Sequence, residues 1–209
     1  MGKFLFLACL LLMPLSKALA NQAEDKYQAL LKAAQADPAK ADWQALRFAY
    51  SETPEFKIYA DPSVPERRVI NDAFEAGDYS KILDSAKLII ARDFANVEAH
   101  RIASVAYKHL NNLTQYETEK AIADGLAKSI MTGDGFTPQT AYTVISVAEE
   151  YELLYSRGFS VRRQVLLKID GHSFDVLSTV DIIGDKTQDY YFQIDRVLAA
   201  EVKALQSGQ

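Results

Sequence analysis

A change of period at Thr132-Gly133-Asp134-Gly135 constrains the fold more than any other feature of the chain. Before it, apolar residues recur with helical spacing. After it, β-branched and aromatic residues come in short alternating runs. A chain divided in this way falls in the α+β class: N-terminal helical hairpins, loosely tetratricopeptide-like, packed with a small C-terminal antiparallel sheet.

In the first part, Tyr27, Leu30, Leu31 and Ala34 share one face of a helix that stops near Asp37. Asp37-Pro38 reads as an N-cap followed by proline at the first helical position, opening a second helix that carries Trp43, Leu46, Phe48 and Tyr50. From Ser51 to Glu66 three prolines, Pro54, Pro62 and Pro65, predict an ordered irregular connection, since each removes a backbone donor. Between Arg67 and Met131, helices are broken at Gly77-Asp78 and at Asn111-Asn112, 34 residues apart, which is the period of tetratricopeptide hairpins. Ile82 and Tyr116 stand where such repeats carry a small alanine, so a plain helical bundle fits the spacing as well.

In the second part the predicted strands are Ala141 to Val147, Val161 to Ile169, Ser173 to Val180 and Asp189 to Ile194. Ser146 and Glu149 fit a capping box and Gly158 a helix stop, favouring a helix from Val147 to Arg157, yet Tyr151, Leu153 and Tyr155 also alternate as in a strand. Asp170-Gly171 predicts a tight turn, and Arg196 to Leu205 a closing helix. The divisions are residues 1–20, 21–131 and 132–209, the last two forming one compact unit.

Residues 1–20 have the form of a cleavable signal peptide: Lys3, the apolar run Phe4 to Met13, then Ala18-Leu19-Ala20 ahead of Asn21. The run is about half the roughly 20 residues that a spanning helix needs, so the mature chain is expected to hold no transmembrane helix and to be periplasmic or secreted. Cys9, inside the run, has too little apolar sequence before it for a lipid-attachment cysteine. It is the sole cysteine, so the mature protein depends on packing without disulfides. Removing the leader takes away Lys3 and Lys17 and no acid, moving the net charge from -5 to -7. The basic residues are scattered, with Arg67-Arg68 and Arg162-Arg163 the only adjacent pairs, which argues against a nucleic-acid partner.

The segments Leu46-Arg47-Phe48-Ala49-Tyr50, Gly77-Asp78-Tyr79, Ala99-His100, Thr132-Gly133-Asp134-Gly135, Ala141-Tyr142, Glu150-Tyr151, His172-Ser173-Phe174-Asp175-Val176 and Tyr191-Phe192 together resemble bacterial exported proteins known only as domain of unknown function 4919. The resemblance implies no activity, substrate or cofactor. Phe174 stands where the resemblance leads one to expect tyrosine, keeping the ring without its hydroxyl.

Candidate chemistry is sparse. Asp134, between two glycines, reads either as a ligand or catalytic carboxylate at the junction or as part of a tight link leading into Thr137-Pro138. It lacks the further acids of a calcium loop. Glu149, Glu150 and Glu152 supply paired carboxylates, of which Glu150 is the candidate proton carrier, or else a solvated face. His172, near Asp170 and Asp175, reads as a base oriented by a carboxylate or as a surface histidine at a hairpin end. His100 and His109, nine residues apart, fall on nearly opposite faces of a helix, and neither a metal motif, a nucleotide fingerprint nor a nucleophile motif accompanies them. No cofactor or metal is therefore expected. Tyr190-Tyr191-Phe192 should place Tyr191 on the sheet face opposite its neighbours.

These residues favour a noncatalytic exported envelope protein that binds a protein or peptide through its helical hairpins. The alternative is a small exported hydrolase with a carboxylate site at the junction, drawing on Asp134, Glu150, His172 and Asp175.

Overall fold

The computed structural model describes residues 9–56, 58, 64–181 and 186–207. Helix α1 (Cys9–Ala36) runs unbroken through Ala20 and Asn21, and residues 1–8 of the expected leader lie outside the described residues. Asp37 and Pro38 open only a 3₁₀ turn, Pro38–Lys40, without a side-chain cap. The cap of α2 (Trp43–Glu52) is instead Asp42, whose Oδ1 accepts the Ala45 N–H at 2.9 Å. The reason is local: three residues of 3₁₀ turn exhaust the Pro38 start, and the carboxylate next to Trp43 meets the orphan donors of the new helix. The irregular connection is shorter than Ser51 to Glu66, because α2 continues to Glu52 and α3 (Val64–Ala76) takes Pro65 into its first turn, where a missing N–H costs nothing. Residues 57 and 59–63 of that connection lie outside the described residues.

Helices α3, α4 (Tyr79–Arg92), α5 (Val97–His109) and α6 (Leu113–Ile130) follow as antiparallel neighbours. The two breaks that the sequence places 34 residues apart use one device twice. Gly77 (φ 68) and Asn111 (φ 58) turn the chain in the left-handed region. Asp78 then caps α4 through the Lys81 N–H at 3.0 Å, and Asn112 caps α6 through the Gln115 N–H at 3.2 Å. Ile70, Ala73, Ile82, Leu83, Ala86, Ile89, Ala99, Ala103 and Ala106 close a core between α3, α4 and α5. Helix α6 leans the other way, against α2, where Gly125 leaves room for the Trp43 indole; a Cβ there would fall 2.2 Å from its Nε1.

After the glycine-rich junction come β1 (Tyr142–Thr143), α7 (Val147–Ser156), β2 (Phe159–Ile169), β3 (His172–Asp181), β4 (Thr187–Gln193) and α8 (Asp195–Ser207). The segment open to either assignment is helix. Ser146 Oγ accepts the Glu149 N–H at 3.3 Å, and the chain leaves through Gly158 at φ 83. The strand expected over Ala141 to Val147 shrinks to two residues, since that cap claims the remainder for α7. The sheet has the order β1-β4-β3-β2; β2/β3 and β3/β4 are antiparallel, while β1 lies parallel to β4, so the sheet is mixed. Asp170 (φ 51) and Gly171 (φ 86) form the two-residue turn between β2 and β3, closed by the pair Ile169 and His172. A larger core joins α1, α2 and α6 to β3, β4, α7 and α8 through Leu46, Tyr50, Leu126, Leu154, Leu177, Tyr190, Phe192 and Val197. Tyr190 and Phe192 are buried and Tyr191 faces away from them, as the alternation requires. Among the described residues no helix is long and apolar enough to cross a membrane.

Candidate functional site

Helix α7 presents two faces of different chemistry. Glu149, Glu150, Leu153 and Leu154 are buried, while Tyr151, Glu152 and Tyr155 point outward, the division expected where residues three and four apart share a side. Glu149 meets Arg47 of α2, a residue with no exposed surface at all. Arg47 donates Nε to Glu149 Oε1 at 2.7 Å and Nη2 to Oε2 at 2.5 Å, and its remaining donors reach Ser129 Oγ at 3.2 Å and the Thr143 carbonyl at 3.0 Å. The Ile145 N–H also donates to Glu149 Oε2 at 2.9 Å, so the glutamate serves the loop before its own helix instead of completing the capping box. A planar guanidinium satisfied on every side by a carboxylate, a hydroxyl and a carbonyl is a rigid joint between the helical half and the sheet half.

Glu150, one residue on, is equally buried, and neither of its carboxyl oxygens has a hydrogen-bond partner. Burial, then the nearby Asp175 and Glu149 carboxyls, pushes its pKa up to about 9, so it holds a proton at neutral pH. Asp175 on β3 is also buried and its pKa is raised by burial; it accepts Gln164 Nε2 at 2.6 Å, and Tyr151 Oη donates to Gln164 Oε1 at 2.8 Å. Gln164 reaches that position because β2 bulges between Val161 and Arg163. The extra residue reverses the alternation of the strand, putting Gln164 on the same sheet side as Val161 and next to Asp175.

On the outward side of α7 lies a groove of about 640 Å³ between α3, α5, α7 and the start of β2. Arg67 of α3 bridges its acids, pairing with Glu98 and, at 3.0 Å, with Glu152. Burial and the proximity of Glu98 nonetheless lift the Glu152 pKa to about 7, against the lowering effect of Arg67. Val97, Phe159 and Val161 supply apolar walls, Arg101 a further cation, and Tyr155, 75 % exposed, stands at the rim.

Of the four candidate residues, the structure brings Glu150 and Asp175 together and places the other two elsewhere. Asp134 is a solvent-exposed loop residue whose Oδ1 accepts the Thr140 hydroxyl at 2.5 Å and the Phe136 N–H at 2.9 Å; these bonds lower its pKa. It ties the tight link together, as the second of its two sequence readings holds. Gly135 beside it (φ 78) donates to the Thr140 carbonyl and accepts the Tyr191 N–H at 2.7 Å, and a Cβ there would meet the Tyr142 ring at 2.7 Å. His172 turns away from Asp175: its Nδ1 lies 2.6 Å from Asp195 Oδ2, exposed at the start of α8. Alternation explains this, since His172 and Asp175 are three apart on β3 and occupy opposite faces, leaving His172 the surface histidine at the hairpin end that its second reading describes. His100 is buried between Glu119, 2.6 Å from Nδ1, and the Phe94 carbonyl, whereas His109 stacks on Tyr79 with ring centroids 3.7 Å apart. Among the described residues no group of three or more His, Cys, Asp or Glu side chains is placed to hold a metal.

Sequence reasoning passed over Arg47 as a structural residue, although one signal was present. It falls four residues after Trp43, on the apolar face of α2, where an arginine survives only with a buried partner. Comparison with curated proteins gives no match, and comparison with solved structures gives none either. The profile described as Domain of unknown function (DUF4919) matches residues 15–203, spanning the helical half, the buried joint and the sheet, and the chain belongs to that family.

Proposed function

We propose that the chain is a noncatalytic, exported envelope protein, periplasmic where the source has two membranes, that binds a segment of a protein or peptide in the groove beside α7. Support for export comes from the leader-like residues 1–20, with their basic start, apolar run and Ala18-Leu19-Ala20. The groove itself carries the binding reading. It combines apolar walls, a small number of charged groups and an exposed aromatic at the end of the helical hairpins, which is the makeup of a recognition site. A hydrolase at the junction has less behind it. Its proton-holding acid, Glu150, is sealed from solvent, and among the described residues Asp134 shares no hydrogen-bond partner with Glu150, Asp175 or His172.

A photoreactive benzoylphenylalanine placed at Tyr155, with the same residue at exposed Lys40 as control, tests the reading in cells of the source. One defined partner crosslinked from Tyr155 and not from Lys40, and lost on Arg101→Glu, is the expected result. Identical patterns from both positions, or none from either, would overturn it.

A further inference from the structure

Strand β2 lies at the end of the sheet order, eleven residues long and without glycine or proline. An edge of that length presents a row of unpaired N–H and C=O groups, ready to accept another strand. The closing pair Ile169 and His172 around the two-residue turn fixes which groups are free. The residues flanking such a turn bond to each other, so Ile169, Leu167 and Val165 bond toward β3, while the N–H groups of Gln164, Leu166 and Lys168 face outward. Leu166 is 61 % exposed.

The groove continues onto this edge. It is lined by Phe159, Ser160 and Val161 in succession, and because consecutive strand residues point to opposite faces, a groove touching all three runs along the rim of β2. Beyond it the strand carries Arg162 and Arg163, neither in an ion pair among the described residues, and Lys168, whose charge is partly offset by Asp195. Within the groove Arg67 pairs with both Glu98 and Glu152, and Arg101 has no ion pair among the described residues, so the excess of positive charge runs from the groove along the strand edge of a chain whose net charge is -5 over its full length.

We infer that the edge of β2 takes up an extended, acidic segment of a protein partner as a fifth strand, with alternate side chains of that segment entering the groove beside Tyr155; this rests on the groove-binding reading. Backbone hydrogen bonds to Gln164, Leu166 and Lys168 provide the attachment, and carboxylates opposite Arg162, Arg163 and Lys168 provide the selection. A second copy of β2 is the poorer occupant, because self-pairing sets this basic strip against itself.

The probe is a twelve-residue peptide of alternating glutamate and valine with blocked ends, titrated into the whole protein while backbone amide exchange is followed by NMR. Saturable binding with slowed exchange at Gln164, Leu166 and Lys168 is expected. Binding should weaken about tenfold or more for a lysine–valine peptide, or for the protein carrying Arg162→Glu and Arg163→Glu. A glutamate–valine peptide N-methylated at alternate residues, which keeps every charge and leaves the protein untouched, should lose binding altogether. Absence of binding, equal binding of the lysine and N-methylated peptides, or binding without protection of those three amides overturns the inference. A partner crosslinked at Tyr155 while those amides stay unprotected leaves the groove reading intact and overturns strand addition alone.

Discussion

Arg47 and Glu149 stand 102 residues apart in the chain and meet through two parallel hydrogen bonds of 2.7 and 2.5 Å inside the core. Removing one partner leaves the other charge buried without its counter-ion. Arg47→Ala and Glu149→Ala are each expected to destabilise the protein by about 3–5 kcal/mol. Arg47→Met combined with Glu149→Leu should recover much of the loss, because an apolar pair leaves no charge to desolvate. Urea unfolding of these three variants and of the double alanine variant checks this; two single losses that simply add in the double alanine variant would mean that the pair is not coupled.

Glu150 predicts a pH dependence of the opposite sign to that of an ion-paired carboxylate. Its folded pKa of about 9 lies above the ordinary value of 4.5, so the folded state keeps a proton that the unfolded chain has released. The contribution is fully present below about pH 4.5 and is lost as the pH rises toward 9, at up to about 4 kcal/mol between pH 5 and 8. Glu150→Gln should remove that slope and be more stable than the parent at pH 8. Denaturant midpoints at pH 5 and 8 for both proteins decide the matter, and parallel pH profiles would sink the assignment. Asp175 and Glu152, whose pKa values are also raised, add to the parent's slope in the same direction and remain in the variant.

Gly135 predicts a local lesion. Gly135→Ala forces a side chain into the left-handed region at φ 78 and against the Tyr142 ring, and should cost about 2 kcal/mol or more. The loss should be read as a lower melting temperature, while Gly158→Ala, also left-handed at φ 83 but with nothing within 4 Å of the added carbon, should cost less. Equal losses would show that the Tyr142 contact is unimportant.

The elements set by near neighbours were legible in the sequence. Gly77-Asp78 and Asn111-Asn112 each place a left-handed residue before a cap, and Asp170-Gly171 is a turn that needs no tertiary help. Helix α7 was favoured by its cap at Ser146, which accepts the Glu149 N–H, and its stop at Gly158, against an alternation at Tyr151, Leu153 and Tyr155 that spoke nearly as strongly for a strand. What stayed hidden depends on distant groups or on one-residue shifts of register. The bulge at Arg162 decides whether Gln164 or a neighbour meets Asp175, and His172 pairs with Asp195 of a different element. The groove draws its lining from four elements, so no window of sequence contains it.

The buried joint also orders events in time. Arg47 cannot find Glu149 until the 102 residues after it have been made, and Tyr142 must likewise wait for its parallel neighbour Phe192. Contacts of such long range close slowly, because the intervening loop must be ordered first. The joint between the two halves therefore stays open while the residues between its partners are being made, an unlocked state of the kind that threading across a membrane, as proposed for this protein, requires.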